Sequence, residues 1–313
     1  RDRVYVGARR DDRRAKRNLR NLRRNRWRLV YNGPVRDGGF GRVREDGVVA
    51  ACGGCGAEGL DEGSCHDESL YADESYRDLL GEGTDADSFF AEHDPLQLRN
   101  VTVLQPHRVR NRVVADIGAA GGQLPRPPLG SGRHHRRGRA LSRLSRNPCA
   151  RGHETFAFCA DAATARGAAV DLATSFSVIE HVGDPRAFLA EIATMLKPGG
   201  EVLVSTPNRA DILMDLLPDD YPAFFYRTVH RWYFDATSLE HCARAAGLEP
   251  VETLVRHRFG LGNAMAWLRG RRPTSDGGMP SLDSPMLDAA WRSFLECAGR
   301  GDHLYSLFRR PSG

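Results

Sequence analysis

The chain has 313 residues and 41% of them are apolar, enough for a sizeable buried core and too many for a disordered chain. No apolar run approaches bilayer length and none follows the basic N-terminus, so the expectation is a protein without a signal peptide or membrane span, located in the cytoplasm. The net charge of +5 is uneven: residues 1–28 carry +10 and residues 123–153 carry +8, which leaves −13 on the remainder. Positive charge confined to two atypical segments of an otherwise acidic body weighs against a nucleic-acid partner.

Residues 1–26 read as a solvated basic tail. Trp27–Tyr31 reads as a strand, followed by turn signals at Asn32-Gly33-Pro34 and Asp37-Gly38-Gly39. Cys52-Gly-Gly-Cys55 forms a knuckle, with Cys65-His66 following after nine intervening residues. Residues 66–105 read as helical and contain His93-Asp94. Together, residues 27–105 are expected to form a small N-terminal module before a larger domain over 106–313.

Arg112–Ile117 is an apolar run through Asp116 that feeds the turn Gly118-Ala-Ala120-Gly-Gly122. Thr155–Cys159 reads as a strand ending at Asp161, and Val170–Val178 as another, with Glu180-His181 beyond it. Asp184-Pro185 supplies an N-cap and a first-position proline for a helix that Lys197-Pro198-Gly199-Gly200 stops. Glu201–Ser205 is the next strand. Thr237-x-x-Glu240 reads as a capping box for a helix ended by Gly247. Leu248–Val255 reads as a strand, 281–299 as a helix and His303–Phe308 as a last strand. Strands alternating with helices of this length predict an α/β fold with a mostly parallel, doubly wound sheet.

The turn Asp116-Ile-Gly118-Ala-Ala120-Gly-Gly122 is open to two readings, a close backbone approach to a nucleotide or a tight strand–helix connection. The later segments are more specific as a set. They are Asp171-Leu-Ala-Thr-Ser-Phe-Ser-Val-Ile-Glu-His-Val, Asp184-Pro-Arg-Ala-Phe-Leu, Met195-Leu-Lys-Pro-Gly-Gly and Val202-Leu-Val-Ser-Thr-Pro-Asn. In this order they resemble the class I S-adenosylmethionine-dependent methyltransferases, and Arg227-Thr-Val-His-Arg-Trp-Tyr-Phe234 resembles their ubiquinone-biosynthesis-like branch. The resemblance implies a Rossmann-like sheet of seven strands, the last antiparallel, and S-adenosylmethionine as cofactor. It places Asp116, Gly118, Ala120 and Gly122 at the methionine and ribose portion. Asp161 and Ala162 go to the adenine, and Phe176 and Ser177 close the pocket.

One departure is plain. From Ile117 to His153 there is no acid, although this fold and the dinucleotide-binding fold both expect one after the second strand to accept from the ribose hydroxyls. Pro125, Pro127 and Pro128 would break the helix expected there. The Arg, Pro, Gly and Ala bias of residues 123–150 is what a GC-rich gene yields out of frame, and a compensated frame slip is the reading adopted. A genuine basic loop that grips an anion is the alternative, and resequencing the gene separates them.

Cys52, Cys55 and Cys65 resemble a zinc knuckle of the kind some small-molecule and sugar methyltransferases carry, for which a structural zinc ion is the expectation; paired free thiols are the alternative. Some ubiquinone-pathway relatives bind a divalent metal through a Glu three residues before Glu-His, but that position here is Ser177, so no such metal is carried over. Transfer to a hydroxyl needs a base, for which His181 and then His230 are the candidates. The aromatics Tyr221, Phe224, Phe225, Tyr226, Trp232, Tyr233 and Phe234 are expected in the wall of an acceptor pocket, or as a lid on the core. Gly33-Pro-x-Arg-Asp-Gly38 resembles relatives in surface-polysaccharide and sugar pathways, so the expected acceptor is a small molecule or glycan. A nicotinamide-dependent oxidoreductase and a catalytically impaired methyltransferase relative are the competing functions.

Overall fold

The computed structural model describes residues 27–38, 42–66, 99–104, 109–118, 135–137, 154–155, 159–273 and 278–312. The expected basic tail, His93-Asp94 and most of residues 123–150 lie outside the described residues. The chain divides into two compact units interleaved in sequence. The first comprises Arg1–His66, Pro207–Leu239 and Leu254–Leu304, and the second Asp67–Thr206, Glu240–Thr253 and Tyr305–Gly313. No described helix is long and apolar enough to cross a membrane.

The first unit holds an antiparallel sheet. Its strands are β1 (Trp27–Arg36), β2 (Val43–Cys52), β3 (Glu58–Leu60) and, from far along the chain, β9 (Trp232–Tyr233). β1 runs straight through the expected turn at Asn32-Gly33-Pro34. Register shifts at Leu29/Tyr31 and Gly33/Val35 accommodate it, and β1 is an edge strand, where a proline without an N–H does least harm. The Tyr31 hydroxyl donates to the Pro34 carbonyl at 2.6 Å. Short helices Ile212–Leu216 and Tyr221–Phe225 cover this sheet. Val35, Val49, Leu60, Leu213, Leu217, Tyr221, Phe225, Tyr226, Tyr233 and Trp267 form one core. The expected pocket-wall aromatics are thus largely interior packing, and the lid-on-core alternative describes them better. Trp232 stands apart and faces Trp27 at 6.2 Å.

The second sheet runs in the order β10 (Glu249–Arg256), β11 (His303–Arg309), β8 (Leu196–Pro207), β7 (Val170–Phe176), β4 (Val114–Ile117), β5 (His135–Arg137) and β6 (Glu154–Thr155). The five strands β8-β7-β4-β5-β6 pair in parallel, which is the Rossmann-like core the sequence predicts. β4 and most of β7 are buried throughout, as expected of strands covered on both faces.

Helix α1 (Cys159–Arg166) packs against α2 (Pro185–Met195). Cys159 and Asp161 therefore belong to a helix and not to the end of a strand. In α2 the Asp184 carboxylate accepts from the Ala187 N–H and Pro185 occupies the first turn, while Leu189, Ile192 and Met195 are buried. Full burial of each such side chain contributes about 1.5–3 kcal/mol. β8 starts at Leu196 rather than at Glu201. The Lys-Pro-Gly-Gly stop is drawn into the strand because Gly199 N–H donates to Arg310 O at 3.0 Å and Arg310 N–H to Gly200 O at 2.8 Å.

The next helix, α3 (Ala236–Ala245), is capped two residues earlier than expected. The Asp235 carboxylate accepts from Ser238 N–H at 2.8 Å and the Ser238 hydroxyl from Asp235 N–H at 3.0 Å, a reciprocal box that does not use Thr237 or Glu240. The last helix runs over Pro285–Cys297, shorter than the expected 281–299, and is capped by Ser284.

Charges tie the amino edge of the second sheet. Glu201 accepts from Arg112 at 3.1 Å and Arg309 at 3.0 Å, joining the segment before β4 to β8 and β11. Asp171 accepts from Lys197 at 2.6 Å and from the Val113 N–H at 2.7 Å. Burial works to raise the Asp171 pKa, but these two hydrogen bonds and the charges of Lys197 and Arg112 leave it lowered. Because both arginines that meet Glu201 are partly exposed, their ion pairs are screened. Glu201→Ala should cost about 1–2 kcal/mol, read as a lower urea midpoint with unchanged slope; an unchanged midpoint would show that the latch contributes nothing.

Candidate cofactor site

In the second sheet the chain leaves β4 toward β5 and β6 on one side and later adds β7 and β8 on the other, so the order reverses between β4 and β7. Ligands of open α/β sheets sit at such a reversal, outside the carboxyl ends of the strands. The residues there follow from the register. Asp116 lies opposite Thr174 and Ile117 opposite Ser175, so Gly118 leaves β4 level with the end of β7 at Phe176 and Ser177.

Asp116 is buried, and its Oδ1 accepts from the Thr174 hydroxyl at 2.8 Å; Thr174 is also placed 3.4 Å from the Ala115 carbonyl. The carboxylate is thus held in one orientation across the two strands. Gly118 has φ +76, and a Cβ there would stand 2.4 Å from Val178 Cγ2. Only glycine fits, because the residue is left-handed and lies directly beneath a side chain of the segment after β7.

Ser177 is also left-handed, with φ +53, an uncommon conformation for a residue with a side chain. Its N–H donates to Ser205 O at 3.0 Å and lies 3.3 Å from Ser205 Oγ, so the end of β8 fixes the turn. Phe176 is half-buried and meets Tyr305 at a ring separation of 6.1 Å, while the Tyr305 hydroxyl donates to Asn100 Oδ1 at 2.9 Å. Val178 accepts at its carbonyl from the His181 N–H at 2.9 Å, closing a tight turn over Ile179 and Glu180, both buried.

Of the cofactor residues expected from sequence, Asp116, Gly118, Phe176 and Ser177 come together at these two strand ends. Asp161 and Ala162 lie in the first turn of α1, which follows the carboxyl end of β6 on the same edge of the sheet. Asp161 is exposed there, and an acid in a first helical turn is favoured by the peptide dipoles. Ala120 and Gly122 lie outside the described residues. His181 belongs to the second unit and His230 to the first. His230 is buried beside the Tyr233 ring at 5.9 Å, and its N–H donates to Arg227 O.

Sequence reading missed Thr174, Val178, Ser205 and Tyr305. Each matters through its register against a neighbouring strand, and a single sequence carries no signal for that.

The three cysteines expected at a structural zinc site lie in the first unit. Cys52 and Cys55 are neighbours whose thiols hydrogen-bond, with burial and this contact raising the Cys55 pKa. Cys65 instead lies 3.8 Å from the Leu60 carbonyl and packs on the aromatic core, where burial pushes its thiol up to about 12. Among the described residues these three cysteines form no group with metal-ligand spacing.

Residues 89–253, more than half of the chain, match the family model of a methyltransferase domain. A ubiquinone biosynthesis O-methyltransferase from Dinoroseobacter shibae is 35% identical over 98 residues, 30% of this chain and 40% of that protein. One from Thiobacillus denitrificans is 30% identical over 182 residues, 51% of this chain and 74% of that protein. The chain spans less than half the length of several of these curated relatives. A crystallised SAM-dependent methyltransferase from Archaeoglobus fulgidus is 12% identical and covers 72% of this chain and 100% of its own, with a TM-score of 0.46. By the extent of the family match and by the order of its strands, the chain belongs to the methyltransferase domain family, among the class I S-adenosylmethionine-dependent methyltransferases.

Proposed function

We propose that the chain transfers a methyl group from S-adenosylmethionine to a hydroxyl of a small-molecule or sugar acceptor. The observation that carries this reading is Gly118, left-handed and pressed beneath Val178 at the reversal point of the sheet, where the backbone can lie flat against a ligand. Relatives named as O-methyltransferases support oxygen as the methylated atom. The full class I sheet, seven strands with the last antiparallel, is supported by hydrogen bonds that link Gly199 to Arg310 and Asn208 to Asp302, because residue numbers run in opposite directions along β8 and β11.

When bound, the sulfonium supplies an activated methyl group for in-line displacement. Asp116, oriented by Thr174, and the backbone at Gly118 hold the amino-acid and ribose portion, with Ala120 and Gly122 continuing the turn. Asp161 and Ala162 face the adenine. Phe176 and Ser177 close the pocket from the β7 side. His181 accepts the acceptor's hydroxyl proton, and His230 is the second candidate for that role. Zinc takes no part in this proposal.

The sequence has no carboxylate at the end of β5, where Arg137-Gly138-Arg139 stands. A charge-assisted hydrogen bond to ribose is worth about 1.5–3 kcal/mol, so its loss weakens cofactor binding by one to two orders of magnitude. The short β5 nonetheless keeps the place between β4 and β6. The frame-slip reading of residues 123–150 is kept as part of the proposal, and a corrected frame should restore an acid there.

Calorimetric titration with S-adenosylmethionine and with NAD discriminates the candidate functions. S-adenosylmethionine should bind and NAD should not; NAD binding alone would establish an oxidoreductase, and binding of neither an impaired relative. Gly118→Ala should weaken S-adenosylmethionine binding at least tenfold, and Val178→Ala in the same chain should restore only part of it, because the positive φ remains strained. His181→Ala should retain cofactor binding and lower kcat by about 100-fold or more, measured by transfer of a labelled methyl group. An unaltered kcat there, with loss in His230→Ala, would move the base to His230.

A further inference from the structure

We infer that Cys52 and Cys55 form a reversible thiol–disulfide pair in the first unit, with Cys52 as the attacking sulfur and a small-molecule disulfide as the oxidant. None of the residues assigned to the cofactor belongs to this unit, so the pair stands independently of the proposed methyl transfer.

Cys52 is the last residue of β2, and Cys55 lies in the turn that leads to β3. Two main-chain hydrogen bonds close this turn around the pair. Cys52 N–H donates to Ala57 O and Gly56 N–H donates to Cys52 O, both at 2.8 Å. Residues three apart across a tight turn have Cα atoms within about 7 Å, and a disulfide needs roughly 4.4–6.8 Å. The two thiols already meet in a hydrogen bond, so rotation of the side chains can join the sulfurs with the backbone left in place.

Glycines keep the sulfurs within reach of a reagent. Gly53 and Gly54 are exposed, and both cysteines are half-buried. A Cβ at Gly54 would stand 3.7 Å from Cys52 Sγ, so a longer side chain there would cover that sulfur. Gly56 has φ +77, which lets the chain turn back into β3 without strain. Cys65 is directed instead to the Leu60 carbonyl, 3.8 Å away, and packs against the apolar core.

The Cys55 thiol holds its proton more firmly than an ordinary cysteine. Burial raises its pKa first, and the hydrogen bond to Cys52 and the charge of that neighbour raise it further, against a lowering hydrogen bond from the Ala57 N–H. Cys52 is therefore the sulfur that ionises first. Its thiolate attacks one sulfur of the external disulfide, a mixed disulfide forms, and the departing thiolate is protonated by solvent. Cys55 then releases its proton to solvent and attacks the Cys52 sulfur, and the second external thiol leaves. Two cysteine thiols are oxidised and one external disulfide is reduced to two thiols. A ring closed by so few residues gains little from chain entropy, so the fold favours the bond only weakly and excess small thiol reopens it.

The test equilibrates the full chain in mixtures of reduced and oxidised glutathione, traps thiols by alkylation and maps disulfides by mass spectrometry. The Cys52–Cys55 bridge should fill as the mixture becomes oxidising, and excess reduced glutathione should restore both thiols. Cys55→Ser should stop at a mixed disulfide between Cys52 and glutathione. Cys52→Ser should form the corresponding adduct at Cys55 about tenfold more slowly. Cys65→Ser should leave the titration unchanged. Absence of the bridge in oxidising mixtures, a preferred bridge to any other cysteine, or faster trapping in Cys52→Ser would each overturn the assignment. So would stoichiometric zinc that blocks the titration until a chelator removes it, because the two sulfurs would then be metal ligands.

Discussion

The pairing of β4 with β7 is the constraint on which the cofactor edge depends. Four residues of β4 meet Leu172–Ser175 in parallel register, and every one of the eight is buried. A one-residue slip would turn Asp116 to the opposite face and separate it from Thr174. It would also move Gly118 out from under Val178. Register, orientation of the carboxylate and close approach of the backbone are therefore a single structural decision, enforced by burial of the apolar residues that flank Asp116, Thr174 and Ser175.

The two edges of the second sheet divide their tasks by chemistry. The amino edge is closed by charge, with Glu201 between Arg112 and Arg309 and Asp171 between Lys197 and the Val113 N–H. The carboxyl edge has no comparable ion-pair latch among its described residues. It is shaped by two left-handed residues, Gly118 and Ser177, and by hydroxyl and backbone hydrogen bonds from Thr174 and Ser205. Salt bridges at the amino edge fix where the strands begin, so the strand ends can carry strained backbone without losing register.

What the sequence made legible was local. The Asp184-Pro185 cap, the apolar spacing of α2 and the glycine that leaves β4 at Gly118 each act within a few residues, and each appears where the pattern places it. What failed depended on distant partners. Asn32-Gly33-Pro34 carries turn chemistry, yet pairing with β2 extends it into a strand. Lys197-Pro-Gly-Gly stops a helix as expected but is then recruited by Arg310. Thr174 reads in the sequence as one more residue of the strand Val170–Val178, since only the β4 register reveals that its hydroxyl orients Asp116.

The same logic bears on residues 123–150, where local pattern and topology conflict. Composition there denies a buried helix and strand, while the strand order still has one strand between β4 and β6, and the three residues His135–Arg137 fill that place. Backbone hydrogen bonds supply this pairing without regard to side chains, so the strand order holds despite the composition of the segment. An acid at the end of β5 is a different requirement, because no backbone group can replace a carboxylate that accepts from two hydroxyls at once. In the proposed reading, fold and cofactor affinity separate at this strand: the first rests on main-chain pairing, and the proposed ribose contact on a carboxylate that Arg137-Gly138-Arg139 does not provide.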